Sequence, residues 1–247
     1  MKVYFHSDFY SVYTGDHAAA AGRMEAIVNT IGPHVDILSF SPATKRDLLA
    51  VHPMGHIQSI KSRGLYDISA LAAGGAIQAA ETGMSEPCFA LIRPPGHHAS
   101  ADSCWGFCYF NNMAVSLYRL QTTGRIETAF ILDFDLHYGD GNVNILDGKS
   151  WVDILNPESH NRQAYLEEVK NALDNTTANV IAVSAGFDNH AQDWGGLLST
   201  EDYRTMGRWV RDTAVRNHGG CYGILEGGYN HEVLGSNVLA FIEGLER

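Results

Sequence analysis

Between residues 129 and 142 the chain reads AFILDFDLHYGDGN, an apolar run that turns polar at alternate positions. Side chains on a strand alternate between its two faces. A strand here would put Asp133, Asp135 and His137 on one face, and Phe134 and Leu136 on the other. Two carboxylates and an imidazole at that spacing, followed by Gly-Asp-Gly, suit a hard or borderline divalent metal. A solvated strand end is the plainer account of the same letters. Asp188, at the end of the stretch SAGFD, is the natural third ligand, or simply caps its own turn. Three protein ligands leave room for a water and a substrate oxygen, the arrangement of a catalytic site rather than a structural one.

Around this centre stand further groups able to move protons. His97 and His98 are adjacent after Pro-Pro-Gly, so they are not spaced to chelate one metal from a helix. As acid and base they need orienting partners, because a carboxylate on one ring nitrogen fixes which nitrogen takes the proton. Asp133 and Asp140 flank the metal candidates and are free to serve; two structural histidines in a rigid loop is the alternative. Tyr229 follows Gly227-Gly228, which permits close backbone approach, and its phenol is placed to donate to an oxyanion unless it is an ordinary half-buried tyrosine. Phe107, Trp105 and Trp194 either line an apolar slot or belong to the core.

The elements that must position these groups alternate. Strands are expected at Lys2–His6, Val35–Phe40, Pro87–Arg93, Ala129 onward, Trp151–Leu155, Asn179–Ser184 and Cys221–Leu225. Helices are expected at His17–Ile31, Lys45–Ala50, Ser69–Thr82, Asn112–Gln121, Gln163–Leu173, Ser199–His218 and His231–Leu245. This order implies a parallel sheet with helices on both faces. Four of the strands end in Gly-containing polar turns, at Arg93–His98, Asp133–Gly141, Ser184–Asp188 and Glu226–Asn230. Sites in such sheets form outside the carboxyl ends of the strands, so neighbouring strands would bring these turns to one crevice.

Length and composition bound the rest. The 247 residues fit one α/β domain, 1–247, with no linker, repeat or low-complexity tract. The opening MKVYFHSDFY has no long apolar run, so neither leader nor membrane span is expected, and a cytoplasmic protein with reduced thiols is the simplest account of four cysteines without a CxxC pair. A net charge of -11 disfavours direct nucleic-acid binding and mildly favours cationic substrates.

Taken together, RPPGHHA (Arg93–Ala99), GFCYFN (Gly106–Asn111), DFDLHYGDG (Asp133–Gly141), SAGFD (Ser184–Asp188) and EGGYN (Glu226–Asn230) resemble the zinc-dependent histone deacetylase superfamily. That superfamily includes acetylpolyamine amidohydrolases and acetoin-utilisation proteins, and the pieces look more like its class II and bacterial branch. The resemblance implies a three-layer arginase/deacetylase-like fold around a mostly parallel sheet of about eight strands. It implies metal ligation by Asp135, His137 and Asp188, with zinc the expected ion and iron or cobalt able to substitute. It pairs His97 with Asp133 and His98 with Asp140, His98 being the general base and then the acid, and makes Tyr229 the oxyanion donor. Phe107 becomes a wall of an acyl-lysine tunnel, and Gly106 offers its carbonyl to substrate. The implied reaction is hydrolysis of an N-acetyl or other N-acyl amide, on a lysine side chain or a small amine.

Departures from the pattern are equally plain. His17-Ala18-Ala19-Ala20-Ala21 stands where relatives have His-Pro-Glu-Arg-Pro, although Arg23 keeps its place. The segment from Asp147 to Asn179 is short, with Ile154-Leu155-Asn156 replacing a Ser-Leu-His strand end. That shortening removes a tunnel wall and part of a potassium site near Asp133, and predicts an open active site. Two other readings compete: an arginase-type hydrolase with two manganese ions, and a catalytically idle acyl-lysine-binding protein. The first lacks extra His and Asp ligands; the second would be marked by a lost ligand, His or Tyr, and none is lost.

Overall fold

The computed structural model describes residues 1–246. Short apolar runs form seven strands: β1 (Lys2–Tyr4), β2 (Asp36–Leu38), β3 (Cys88–Ala90), β4 (Ala129–Asp133), β5 (Val152–Leu155), β6 (Val180–Ala185) and β7 (Gly220–Leu225). They make one sheet in the order β2-β1-β3-β7-β6-β4-β5, and every neighbouring pair is parallel. All residues of β3, β4, β6 and β7 are buried, as a sheet covered on both faces requires. The polar positions Asp36 and Asp153 fall on the edge strands, where exposure is tolerated.

The connecting helices are α1 (Arg23–Ile31), α2 (Lys45–Leu49), α3 (Met54–Ser62), α4 (Tyr66–Gly83), α5 (Asn112–Thr122), α6 (Asp140–Leu146), α7 (Arg162–Asn175), α8 (Thr200–Arg216) and α9 (His231–Glu246). Adjacent residues of β7 show the layering. The Tyr222 hydroxyl meets Ser116 of α5 at 2.7 Å, whereas a Cβ on Gly223 would strike Phe241 of α9. Successive strand residues face opposite ways, so α5 and α9 cover opposite faces. The helix–sheet–helix sandwich is therefore the expected three-layer α/β architecture. It has seven strands among the described residues, close to the expected eight.

Three local expectations need correction. The helix expected over His17–Ile31 begins only at Arg23, after Gly22 at φ +85°. The carbonyls of Ala18 and Ala20 point instead to the Arg93 guanidinium, at 3.0 and 2.9 Å, and cannot also close helical turns. Second, β4 stops at Asp133, so Asp135 and His137 lie in the turn beyond it. Side-chain carboxylates capture the next backbone donors: Asp135 N–H bonds Asp133 Oδ1 at 3.4 Å and His137 N–H bonds Asp135 Oδ1 at 2.9 Å. Such local bonds compete with a strand ladder. Third, α3 and α6 have no counterpart among the expected helices.

Four consecutive strands of the sheet, β3-β7-β6-β4, carry the four Gly-containing turns. Their carboxyl ends are therefore side by side. The cysteines are all free, and no helix among the described residues is long and apolar enough to cross a membrane.

Candidate active site

The turns after β4 and β6 bring together Asp135, His137 and Asp188, whose donor atoms lie within 4.8 Å of one another. His137 Nδ1 sits 3.2 Å from Asp135 Oδ1 and 3.1 Å from Asp188 Oδ2. Backbone donors hold the outer oxygens: Leu136 N–H bonds Asp188 Oδ1 at 3.0 Å, and Gly227 N–H bonds Asp135 Oδ2 at 2.8 Å. Asp188 Oδ2 is buried with no hydrogen-bond partner. The turns must be glycine here, since a Cβ on Gly186 would come within 1.9 Å of Asp135 Oδ2 and one on Gly227 within 2.7 Å of Asp188 Oδ2. A buried, unpartnered carboxylate oxygen beside an imidazole nitrogen is costly unless a cation shares it. The donor set of two carboxylates and one imidazole thus fits a divalent ion such as zinc.

The electrostatics agree with that fit. Burial and the charge of Asp135 push the Asp188 carboxyl up to about 6. Burial would raise Asp135 as well, but His97 and His137 outweigh it and hold this carboxyl well below the usual range. The adjacent Asp135 and Asp188 carboxylates raise His137 to about 10.

The turn after β3 supplies the histidine pair. His97 Nδ1 lies 3.2 Å from Asp133 Oδ2, and His98 Nδ1 lies 2.6 Å from Asp140 Oδ1. Their rings are 4.0 Å apart. Both carboxylates thus face a Nδ1 and leave each Nε2 for other work. The two environments diverge. Burial, and then the charge of His97, pushes His98 down to about 4 against the pull of Asp140. Burial also opposes charge on His97, but the Asp135 and Asp133 carboxylates outweigh it and hold that imidazole well above its ordinary value. Two titratable groups driven apart in this way suit different roles in proton transfer.

Tyr229 follows Gly228, which sits at φ +111° after β7. Burial raises its phenol far above the ordinary value, so it stays a proton-bearing donor. Trp194 stacks on it at 4.1 Å. Phe107 stands edge-on to it at 6.1 Å, with the uncommon φ of +67° directly after Gly106 at +58°. These side chains, with His97, His98, Trp105 and His137, line a slot of about 120 Å³. His17 stands at its rim, 5.3 Å from the Trp194 ring and 6.4 Å from Phe107. Beside the shortened segment a wider groove of about 460 Å³ runs from Asn156–His160 to Asp135 and Leu136.

Several supporting residues had no assigned role in the sequence. Glu226 Oε2 accepts the N–H groups of Gly96 and His97 at 2.6 and 3.2 Å, and burial raises its carboxyl to about 7. Asn142 Nδ2 donates to Asp133 Oδ2 at 3.0 Å. Asp193 Oδ2 accepts both Tyr229 and Asn230 N–H groups at 2.8 Å. Arg23 donates to the carbonyls of Gly228 and Glu226 at 2.8 and 2.6 Å. His97, Cys108 and Glu226 form a second close grouping. There His97 Nδ1 and Glu226 Oε2 are already engaged, so this grouping has fewer free donors.

A model of the histone deacetylase domain matches residues 17–165 and 154–245. The chain belongs to the histone deacetylase family. The two matched pieces overlap at 154–165, within the segment that is shortened. A probable deacetylase of Methanothermobacter thermautotrophicus is 28% identical over 99% of this chain and 90% of that protein. The histone deacetylase-like amidohydrolase of Pseudomonas aeruginosa is 28% identical over 90% of this chain and 74% of its own length. The acetylpolyamine amidohydrolase of Mycoplana ramosa is 32% identical over 64% of this chain and 56% of its own. The crystal structure of the HDA15 HD domain superposes with a TM-score of 0.85, covering 99% of this chain and 88% of that one at 22% identity. The likeness to HDA15 establishes a shared histone deacetylase fold.

Proposed function

We propose that this chain hydrolyses an N-acyl amide, of the acetyl-lysine or acetylated-amine type, to a carboxylate and a free amine. The observation that carries this reading is one slot lined by His137, which groups with the Asp135 and Asp188 donors, by His98, which pairs with Asp140, and by Tyr229. Asp135, His137 and Asp188 would hold a zinc ion, with iron or cobalt as substitutes. Such an ion supplies Lewis acidity and a water of lowered pKa.

The protein's own groups do the rest. Tyr229 donates a hydrogen bond to the amide oxygen as negative charge grows there. His98 keeps one proton on Nδ1, facing Asp140, and takes the proton of the attacking water on Nε2. The C–N bond then breaks as His98 returns that proton to the leaving nitrogen. His97, paired with Asp133, contributes positive potential beside the forming oxyanion. Phe107 flanks the acyl-bearing chain, and the Gly106 carbonyl is available to its N–H. The whole sequence 1–247 is assigned to this one catalytic domain.

The test is hydrolysis of a fluorogenic acetyl-lysine peptide and of acetylated diamines by the purified, zinc-supplied protein. Turnover that disappears in His98→Ala and is blocked by a hydroxamate is the expected result. Absence of turnover on every one of these amides, with metal bound and the fold intact, would refute the reading and favour an acyl-lysine-binding role.

A further inference from the structure

We propose that Trp105 is a positioning residue for His98, acting through Asp140. This rests on the reading of His98 as the proton-transfer group. Trp105 is 56% exposed, so burial does not account for where its indole lies. Its Nε1–H donates to Asp140 Oδ2 at 2.8 Å, while the other oxygen of the same carboxylate faces His98 Nδ1 at 2.6 Å. The indole ring also lies over the His98 imidazole, with centroids 4.0 Å apart and planes 32° from parallel. One side chain thus touches both members of the pair.

The need for it follows from exposure. Asp133, the partner of His97, is fully buried and takes a second donor from Asn142. The Asp140 side chain is 34% exposed. Without a second donor its carboxylate is free to turn toward water and release His98 Nδ1. The indole N–H fixes the carboxylate plane from the solvent side, and the ring face keeps the imidazole from swinging out. His98 is then held with its proton on Nδ1 and its Nε2 toward the slot. Loss of such a constraint typically costs one or two orders of magnitude in rate, because reacting groups must sit within a fraction of an ångström.

Trp105→Phe separates this role from that of a slot wall, since it keeps an aromatic face and removes the N–H. More than half exposed, the position tolerates the change without cost to the core. In the zinc-supplied enzyme kcat is expected to fall about tenfold with KM within about twofold. In an Asp140→Asn background the same substitution should change kcat less than about twofold, since the two residues act as one unit. Independently of any turnover, the downfield proton resonance of His98 Nδ1–H should move upfield or vanish by exchange in Trp105→Phe. That readout stands even if the amide substrate has been misidentified. An unmoved resonance would overturn the proposal. So would a kcat loss as large in the Asp140→Asn background as in the parent, or a change confined to KM.

Discussion

At the scale of single residues, Tyr229 carries the sharpest expectation. Its phenol is kept protonated by burial, is backed by Trp194, and is aimed by a turn that Asp193 and Arg23 hold through backbone contacts. In the mechanism proposed above, Tyr229→Phe removes one oxyanion donor and little else. Losing such a donor costs roughly 10²–10³ in kcat. Steady-state kinetics should show that loss with KM changed only a few-fold; a kcat within about threefold of the parent would remove Tyr229 from the chemistry. The polar groups of this site stood out in the sequence because they interrupt apolar strands at their ends. The groups that support them did not. Glu226 reaches back across 129 residues to the His97 N–H, and Arg93 across 84 to the Phe9 carbonyl. Nothing local distinguishes such residues, because their partners are backbone atoms of distant segments.

Elements were legible where one force dominates. β6 and β7 are largely apolar and buried throughout, and α8 opens on the Ser199/Asp202 capping box that its spacing announces. The His17–Gly22 stretch went the other way, because an alanine run favours a helix while a buried guanidinium claims its carbonyls. His52 shows a similar hidden duty at the end of α2. Its Nδ1 donates to the Ala101 carbonyl at 2.9 Å and its Nε2 accepts from Asn111 N–H at 2.9 Å, so the neutral ring ties together the segments either side of the slot. Burial pushes His52 down to about 4, with the Ala101 bond opposing only in part. The unfolded chain binds this proton near the ordinary 6.5, and the folded chain does not until near 4. The associated stability is therefore complete above about pH 6.5 and is lost as pH falls toward about 4, a difference on the order of 3 kcal/mol. His52→Gln keeps a donor and an acceptor but cannot take the proton. Its urea midpoint should be lower than the parent's at neutral pH yet fall less between about pH 7.5 and 5. A parallel fall in both proteins would show that His52 does not set the acid sensitivity.

For the whole molecule, the sheet concentrates carboxylate charge at one end, on a chain whose net charge is already -11. The seven parallel strands place Asp133, Asp135, Asp188 and Glu226 at their carboxyl ends, all buried. Such a centre is held together by the positive charge near it, that of His97 and His137 beside these carboxylates and of buried Arg23 on the Glu226 and Gly228 carbonyls. Entry of a divalent ion must expel the proton that His137 keeps through neutral pH, being raised to about 10 by Asp135 and Asp188. Zinc binding near pH 7 should thus release about one proton per chain, because the ligand must be deprotonated. Titration calorimetry in two buffers of different ionisation heat reads that number directly. An ion that binds only the folded chain adds about 2.7 kcal/mol at a hundredfold excess over Kd and raises Tm. The heat should saturate at one equivalent, taken up by the Asp135, His137 and Asp188 donors. Saturation at two equivalents would return the binuclear arginase-type reading to first place. Binding without proton release would mean that His137 is already neutral near pH 7 before the ion enters.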